Sequence, residues 1–206
     1  MKLYRGLLQA DEIASLASMT KYMAFVLAFI VLVADQISKW AVTQFMIKPA
    51  IDVGYLAKTE LKPKGFFEWL ISADMLLPYT HIEILPFFNI VMVWNKGISF
   101  GLFNQSGQLG VWLMLALSSA IIIFFTIWML RCTSRYMLIC MALIIGGAIG
   151  NVIDRARFGA VVDFLDFHAF GYHYPAFNIS DSAIVIGVFL LIIHSFFFET
   201  QHKNAT

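Results

Sequence analysis

The chain has 206 residues, of which 60% are hydrophobic, 16% aromatic and only 13% charged, with a mean hydropathy of +0.79 and a formal net charge of +1. Soluble domains carry roughly 45–50% apolar and about 25% charged residues, so this is the composition of an integral membrane protein. Its scattered lysines and arginines offer no polyelectrolyte face for nucleic acid, and Cys132 and Cys140, at or within apolar segments, suggest neither a disulfide framework nor a cysteine metal site.

Residues 1–21 mix Lys2, Arg5, Asp11, Glu12 and Lys21 with small and apolar residues and read as a surface or amphipathic lead-in. The uncharged run from 22 to 34 continues through Asp35, Gln36, Ser38 and Lys39 to about Phe45, and a first transmembrane helix over 22–45 is expected. A secretory signal peptide would use the same run as its apolar core. Leu32-Val33-Ala34 lacks the small residue expected three before a cut, however, and the helical pattern continues past it. Asp35, Ser38 and Lys39 share a helical face, with Asp35 and Lys39 an i, i+4 pair. An unpaired charge near a helix centre costs about 2.5–3.5 kcal/mol, which favours a structural role near the helix end, paired or snorkelling.

Residues 47–108 form a long non-spanning cap. At Gly65 to Leu77, Phe66, Trp69, Leu70, Ala73 and Leu77 recur at helical spacing between Glu68, Ser72 and Asp74, as in a short helix lying in the membrane interface. Ile82 to Trp94 is rich in β-branched and aromatic residues around a proline, which favours strands. A turn is expected at Asn95-Lys96-Gly97, with Ile98 to Phe103 returning toward the bilayer. Uncharged segments then follow at 110–130, 136–153 and 182–198, each near the length a hydrocarbon core of about 30 Å requires. Four spans put both termini on one side. Arg131 and Arg135 in the short second link assign that side to the cytoplasm, which leaves the cap and the 154–181 loop outside. The expected fold is therefore a polytopic α-helical membrane protein, one domain with four transmembrane helices, a small extracytoplasmic β-sheet cap and an interfacial helix.

The stretch from Gly146 to Ser182 carries four of the chain's thirteen acidic residues, Asp154, Asp163, Asp166 and Asp181. Ionisable groups are costly at membrane depth, so their clustering reads as a site. Asp163 lies in an apolar run and Asp181 just before the last span; if the loop folds back, the two carboxylates can face each other, share a proton, and work as base and acid. Spacing alone does not separate this from a helix cap and a loop salt bridge. Asn151, Asp154 and Arg155 close the third helix at i, i+3, i+4, above Gly146, Gly147 and Gly150, which permit close helix approach. Arg155 would anchor at headgroup level or hold a substrate carbonyl. His81-Ile82-Glu83 lacks the HExxH zinc spacing, Ser106 has no evident histidine partner, and His168 and His173 read as interfacial polar tips rather than metal ligands. From residues alone, a membrane enzyme and a proton-coupled carrier stay level, with a non-catalytic scaffold as a further alternative.

Five blocks carry a resemblance: Asp35-Gln36-Ile37-Ser38-Lys39; Phe88-Asn89 through Asn95-Lys96-Gly97-Ile98-Ser99-Phe100; Gly150-Asn151-Val152-Ile153-Asp154-Arg155; Val161-Val162-Asp163-Phe164; and Phe177-Asn178-Ile179-Ser180-Asp181-Ser182. In this order the chain resembles the bacterial lipoprotein signal peptidases, also called signal peptidase II. The resemblance implies a four-helix aspartic endopeptidase of the bacterial inner membrane that acts on diacylglyceryl-prolipoproteins before the lipidated cysteine. It implies a monomer with no metal or other cofactor, surrounded by membrane lipid and inhibited by cyclic peptides of the globomycin type. By motif, Asp163 and Asp181 are the catalytic dyad, Asn95, Asn151, Arg155 and Asn178 position substrate and dyad, and Asp35, Lys39 and Asp154 support the site. Ser99 and Ser180 stand where alanine is commoner, so that either hydroxyl could add a hydrogen bond, and residues 46–81 are longer than usual.

Overall fold

The computed structural model describes residues 2–51, 61–72, 77–97 and 107–198, with backbone alone for 2–17, 107–108 and 197–198. Helix α1 (Lys2–Ala41) runs without a break through the lead-in and passes into a π-helical turn (Val42–Ile47) and the short α2 (Lys48–Ala50). Helices α4 (Gly107–Arg131), α5 (Arg135–Phe158) and α6 (Ile179–Phe198) follow the cap. Four described helical stretches are long and apolar enough to cross a membrane: Ser18–Ala50, Leu109–Arg131, Arg135–Phe158 and Ile179–Phe196. Each expected span is present, but three bounds move. The first helix begins well before residue 22, the third continues to Phe158, and the fourth starts at Ile179. The third does not stop at Ile153 because Asp154 finds a partner inside the bundle; it ends where Gly159 adopts φ 70° and its N–H donates back to the Arg155 carbonyl.

Helix α5 is central and packs against α1, α4 and α6. Its glycines make this possible. A Cβ on Gly146 would sit 2.5 Å from the Ala28 carbonyl oxygen of α1, and one on Gly147 would meet the Ser180 carbonyl and, at 2.9 Å, Ile184 of α6. Across the same seam, a Cβ on Gly187 of α6 would come 2.8 Å from the Cys140 carbonyl of α5. Helix α4 turns most of its surface outward, as a lipid-facing helix does.

The cap contains α3 (Phe66–Ile71) and an antiparallel sheet in the order β1-β2-β3-β4: β1 (His81–Leu85), β2 (Phe88–Asn95), β3 (Val161–Ala169) and β4 (Tyr172–His173). The expected strands are thus a hairpin turning at Pro86-Phe87, while the short helix is six residues, with Ser72 at its C-cap and Leu77 beyond it. Asp74 and Ala73, and the stretch from Ile98 to Phe103, lie outside the described residues. Trp69 of α3, Ile90 and Met92 of β2, and Val162 and Phe164 of β3 form one core with Val42, Ile47 and Phe158, so the sheet and α3 sit on the ends of α1 and α5. The cap is also sewn to α1 by hydrogen bonds. Trp40 Nε1 donates to the Lys64 carbonyl (2.9 Å), the Lys64 N–H to Gln44 Oε1 (2.9 Å), and Lys48 Nζ to the Lys62 carbonyl (3.0 Å).

Candidate active site

Asp163 and Asp181 are brought together by two local devices. The first is at the start of α6, where Asn178 and Asp181 form a reciprocal capping pair. The Asp181 N–H donates to Asn178 Oδ1 (2.9 Å), and the Asn178 N–H to Asp181 Oδ2 (3.3 Å). Asp181 therefore belongs to the first turn of the helix, where the positive end of the helix dipole favours a carboxylate. The second is the return of the chain along β3: the Phe177 N–H donates to the Leu165 carbonyl (3.1 Å) and the Leu165 N–H to the Phe177 carbonyl (2.9 Å). Asn178 is thereby set against Asp163, and its Nδ2 lies 2.8 Å from Asp163 Oδ1 and 3.2 Å from the Val162 carbonyl.

Two more amides complete the cradle. Asn95 Nδ2 donates to Asp163 Oδ2 (2.9 Å) while its Oδ1 accepts the Gly97 N–H (2.9 Å), in the turn expected there. Gly97 has φ 88° at that turn, which glycine adopts readily. Asn151 Nδ2 donates to Asp181 Oδ1 (2.7 Å), and its Oδ1 accepts from Asn178 Nδ2 (3.2 Å). Each carboxylate is thus gripped by its own asparagine from another element, and Asn178 joins both.

Beneath the dyad lies a closed ionic cluster. Lys39 Nζ is 2.8 Å from both Asp35 Oδ2 and Asp154 Oδ2, with all three side chains fully buried. Gln36 Nε2 donates to Asp35 Oδ2 (3.1 Å) and Asp154 Oδ1 (3.2 Å). The same carboxylates reach the residues above: Asp35 Oδ1, which the cluster leaves free, accepts the Ser180 N–H at the start of α6 (3.0 Å), and Asp154 Oδ2, besides facing Lys39, accepts the Val162 N–H beside Asp163 (3.1 Å). Lys39 Nζ also reaches Asn151 Oδ1 at 3.5 Å. The i, i+4 pairing read from the sequence is present, but neither charge snorkels, because paired burial between α1 and α5 replaces water with three internal partners.

Electrostatics separate two aspartates on one strand. Burial, and then the neighbouring Asp181 charge, push the Asp163 carboxyl up to about 7, against the lowering effect of its hydrogen bonds from Asn95 and Asn178. Asp166 is moved the other way. Burial raises it, but Asn89 Nδ2 (2.8 Å) and His173 Nδ1 (2.9 Å) together hold it below the usual carboxylate range. His173 also stacks on His168 with ring centroids 4.8 Å apart, so the two histidines form a paired unit.

All nine residues singled out in the sequence lie in or under this assembly, and some roles differ in detail. Arg155 is half-buried beside Asp181, Asp163 and Asp154, and its Nε is buried without a hydrogen-bond partner. The side chain therefore lies among the acidic residues. The Ser180 hydroxyl is buried with no partner; it is the backbone N–H of this residue that contributes. Ser99 lies outside the described residues. The sequence reading gave no site role to Gln36, the amide that bridges both buried aspartates, or to Arg157. The Arg157 guanidinium donates to Gln36 Oε1 (3.3 Å) and to the Trp69 and Ser72 carbonyls, and it stacks on Trp69 and Phe158 at 4.3 Å. A glutamine next to an aspartate in an apolar run was the available signal for Gln36, and Arg157 at two residues past Arg155 gave none.

Residues 27–197 match the family model described as Signal peptidase (SPase) II. The lipoprotein signal peptidase of Methylobacterium radiotolerans is 52% identical over 113 residues, which span 55% of this chain and 66% of that one. Those of Methylorubrum extorquens and Rhodopseudomonas palustris are 46% identical over 127 residues and 47% over 131, each spanning 62% of this chain and 74% and 80% of theirs. Two solved structures described as bacterial membrane enzymes, determined by the in meso method, align with TM-scores of 0.56 and 0.59 at 28% and 27% identity. They cover 83% of this chain and 85% and 90% of their own.

Proposed function

We propose that this chain, which belongs to the signal peptidase II family, is a membrane endopeptidase that removes the signal peptide of prolipoproteins by cutting before a cysteine already bearing diacylglycerol. Membership of a peptidase family takes the place of the carrier and scaffold alternatives. The observation that carries an aspartic mechanism is the pair Asp163 and Asp181, each held by its own asparagine and joined through Asn178.

In this reading Asp163, raised to about 7, holds the proton at neutral pH. Asp181 takes a proton from a water molecule, whose oxygen attacks the scissile carbonyl carbon while Asp163 gives its proton to the carbonyl oxygen. The resulting tetrahedral diol collapses as the carbon–nitrogen bond breaks. A diol proton returns to Asp163, and the proton held by Asp181 passes to the leaving amine of the lipidated cysteine. Arg155, with its unpartnered Nε, and the Asn95, Asn151 and Asn178 amides position substrate and carboxylates. Asp35, Lys39 and Asp154 fix the α6 start and the β3 start relative to each other. The protein acts as a monomer in the bacterial inner membrane, with both termini cytoplasmic and the dyad at the extracytoplasmic face. Arg131 and Arg135 at the short α4–α5 link support that orientation. Cyclic peptides of the globomycin type would block the same site.

The test is incubation of purified protein with a synthetic prolipoprotein segment, with and without diacylglycerol on its cysteine, and mass spectrometry of the products. Cleavage immediately before the lipidated cysteine is expected. Cleavage elsewhere, or equal cleavage of the unlipidated segment, would remove the substrate assignment.

A further inference from the structure

At the end of the bundle remote from the dyad, α1 and α5 border an open cleft of about 410 Å³ that takes no part in the reaction above. Met19, Met23 and Leu27 of α1 and Leu138 and Ile139 of α5 wall it, and Arg135 stands among them as its cation. Arg135 lies roughly 24 Å from Asn151 along α5, at about 1.5 Å per residue, so the cavity opens near the opposite face of the membrane from the site. The two helices close tightly at Gly146 against Ala28, and the cavity opens where the α5 side chains lengthen to Leu138 and Ile139.

We propose that this cleft binds an anionic membrane phospholipid, its apolar walls taking an acyl chain and Arg135 its phosphate. A mostly apolar lining with one arginine suits an acyl chain beside one charged headgroup, and a guanidinium pairs with phosphate oxygens through parallel N–H donors. Charge selects the occupant. Lys21 follows Thr20, which lines the cleft, and its Nζ donates to the Leu130 carbonyl at the end of α4 (2.6 Å), so a second positive charge stands near Arg135. This concentration of positive charge attracts an anionic lipid and repels the basic start of a signal peptide, which is the other amphipathic segment that could lie along a membrane helix.

The test is native mass spectrometry of the full chain released from bilayers containing phosphatidylglycerol and phosphatidylcholine with identical acyl chains. The wild type is expected to retain phosphatidylglycerol preferentially. Arg135→Gln should lower that retention about five-fold, the effect of one basic residue near an anionic surface, while Arg131→Gln changes it less than about two-fold. Ile139→Trp, which fills the cleft without altering charge, should lower retention of both lipids; Met23→Trp repeats this from α1 should the first variant unfold. Glycerol 3-phosphate, a headgroup with no chain, should displace nothing. Equal retention of the two lipids, equal losses in Arg131→Gln and Arg135→Gln, or displacement by glycerol 3-phosphate would each overturn the proposal, the second by showing diffuse surface charge and the third a bare phosphate site.

Discussion

Replacing Gly150 by alanine adds one methyl group at the point where α1, α5 and α6 meet under the dyad. The new Cβ would stand 2.6 Å from Asp35 Oδ2 and closer still to Ser180 Oγ, where ordinary contact begins near 3.4 Å. The Ser180 hydroxyl has no hydrogen-bond partner and can rotate away, but Asp35 cannot yield cheaply, because it is fixed by Lys39, Gln36 and the Ser180 N–H. The helices must therefore part by the shortfall, about 0.8 Å, which carries Asp181 away from Asp163. Overpacking of this kind costs about 1–3 kcal/mol of stability, and a displacement near 1 Å lowers rate by roughly 10²-fold. The expected outcome is a folded protein with a modestly lowered melting temperature and kcat reduced about 10²-fold, read from cleavage of a fluorogenic lipopeptide in detergent. Gly110→Ala is the control, because a Cβ there meets nothing within 4 Å. Gly150→Ala activity within a factor of about three of wild type would refute the claim that helix spacing at this point sets the dyad geometry.

A proton held by Asp163 makes activity fall as pH rises through about 7. Asn95→Ala removes a hydrogen bond that favours the ionised form, so the alkaline limb of the pH–rate profile should move to higher pH. Because the folded-state value lies above the ordinary one of about 3.9, Asp163 also makes stability decline as pH rises from about 4 to 7, and melting curves of Asp163→Asn should lack that slope. Lys39→Met leaves Asp35 and Asp154 buried without their cation and should cost about 3–5 kcal/mol in denaturant unfolding. Ser180→Ala removes a buried hydroxyl that has no partner, so it should leave melting temperature unchanged or raised and activity intact.

The spans, the strands around Pro86 and the clustering of the candidate site residues were legible because each rests on a local pattern: an uncharged run, a β-branched run, polar groups where polarity is costly. The geometry that joins them was not. Asn89 and Asn95 are six residues apart on β2 and in a regular strand would face the same side. An extra residue between Ile90 and Val93 separates them, so that Asn89 pairs with Asp166 on one face and Asn95 reaches Asp163 on the other. A bulge of this sort depends on the partner strand, some seventy positions later in the chain. The end of α5 was misplaced for a related reason. Asp154 and Arg155 look like the boundary of an apolar helix until Lys39, on another helix, is known to lie 2.8 Å from Asp154. Arg157 falls in the expected 154–181 loop and carries no local signal of a role, because the carbonyls it holds, in and just after α3, become its neighbours only when the cap folds onto α1 and α5.

The most direct test of the dyad compares wild type, Asp163→Asn and Asp181→Asn for cleavage of a diacylglyceryl-prolipoprotein in lipid, with melting curves to establish that each is folded. Each substitution keeps the size of the side chain and removes its exchangeable carboxyl proton. The account predicts two folded variants whose turnover falls by at least roughly 10²–10⁴-fold, the range for loss of a positioned acid or base. Near-normal turnover in either folded variant would contradict it and return attention to Asp35 and Asp154.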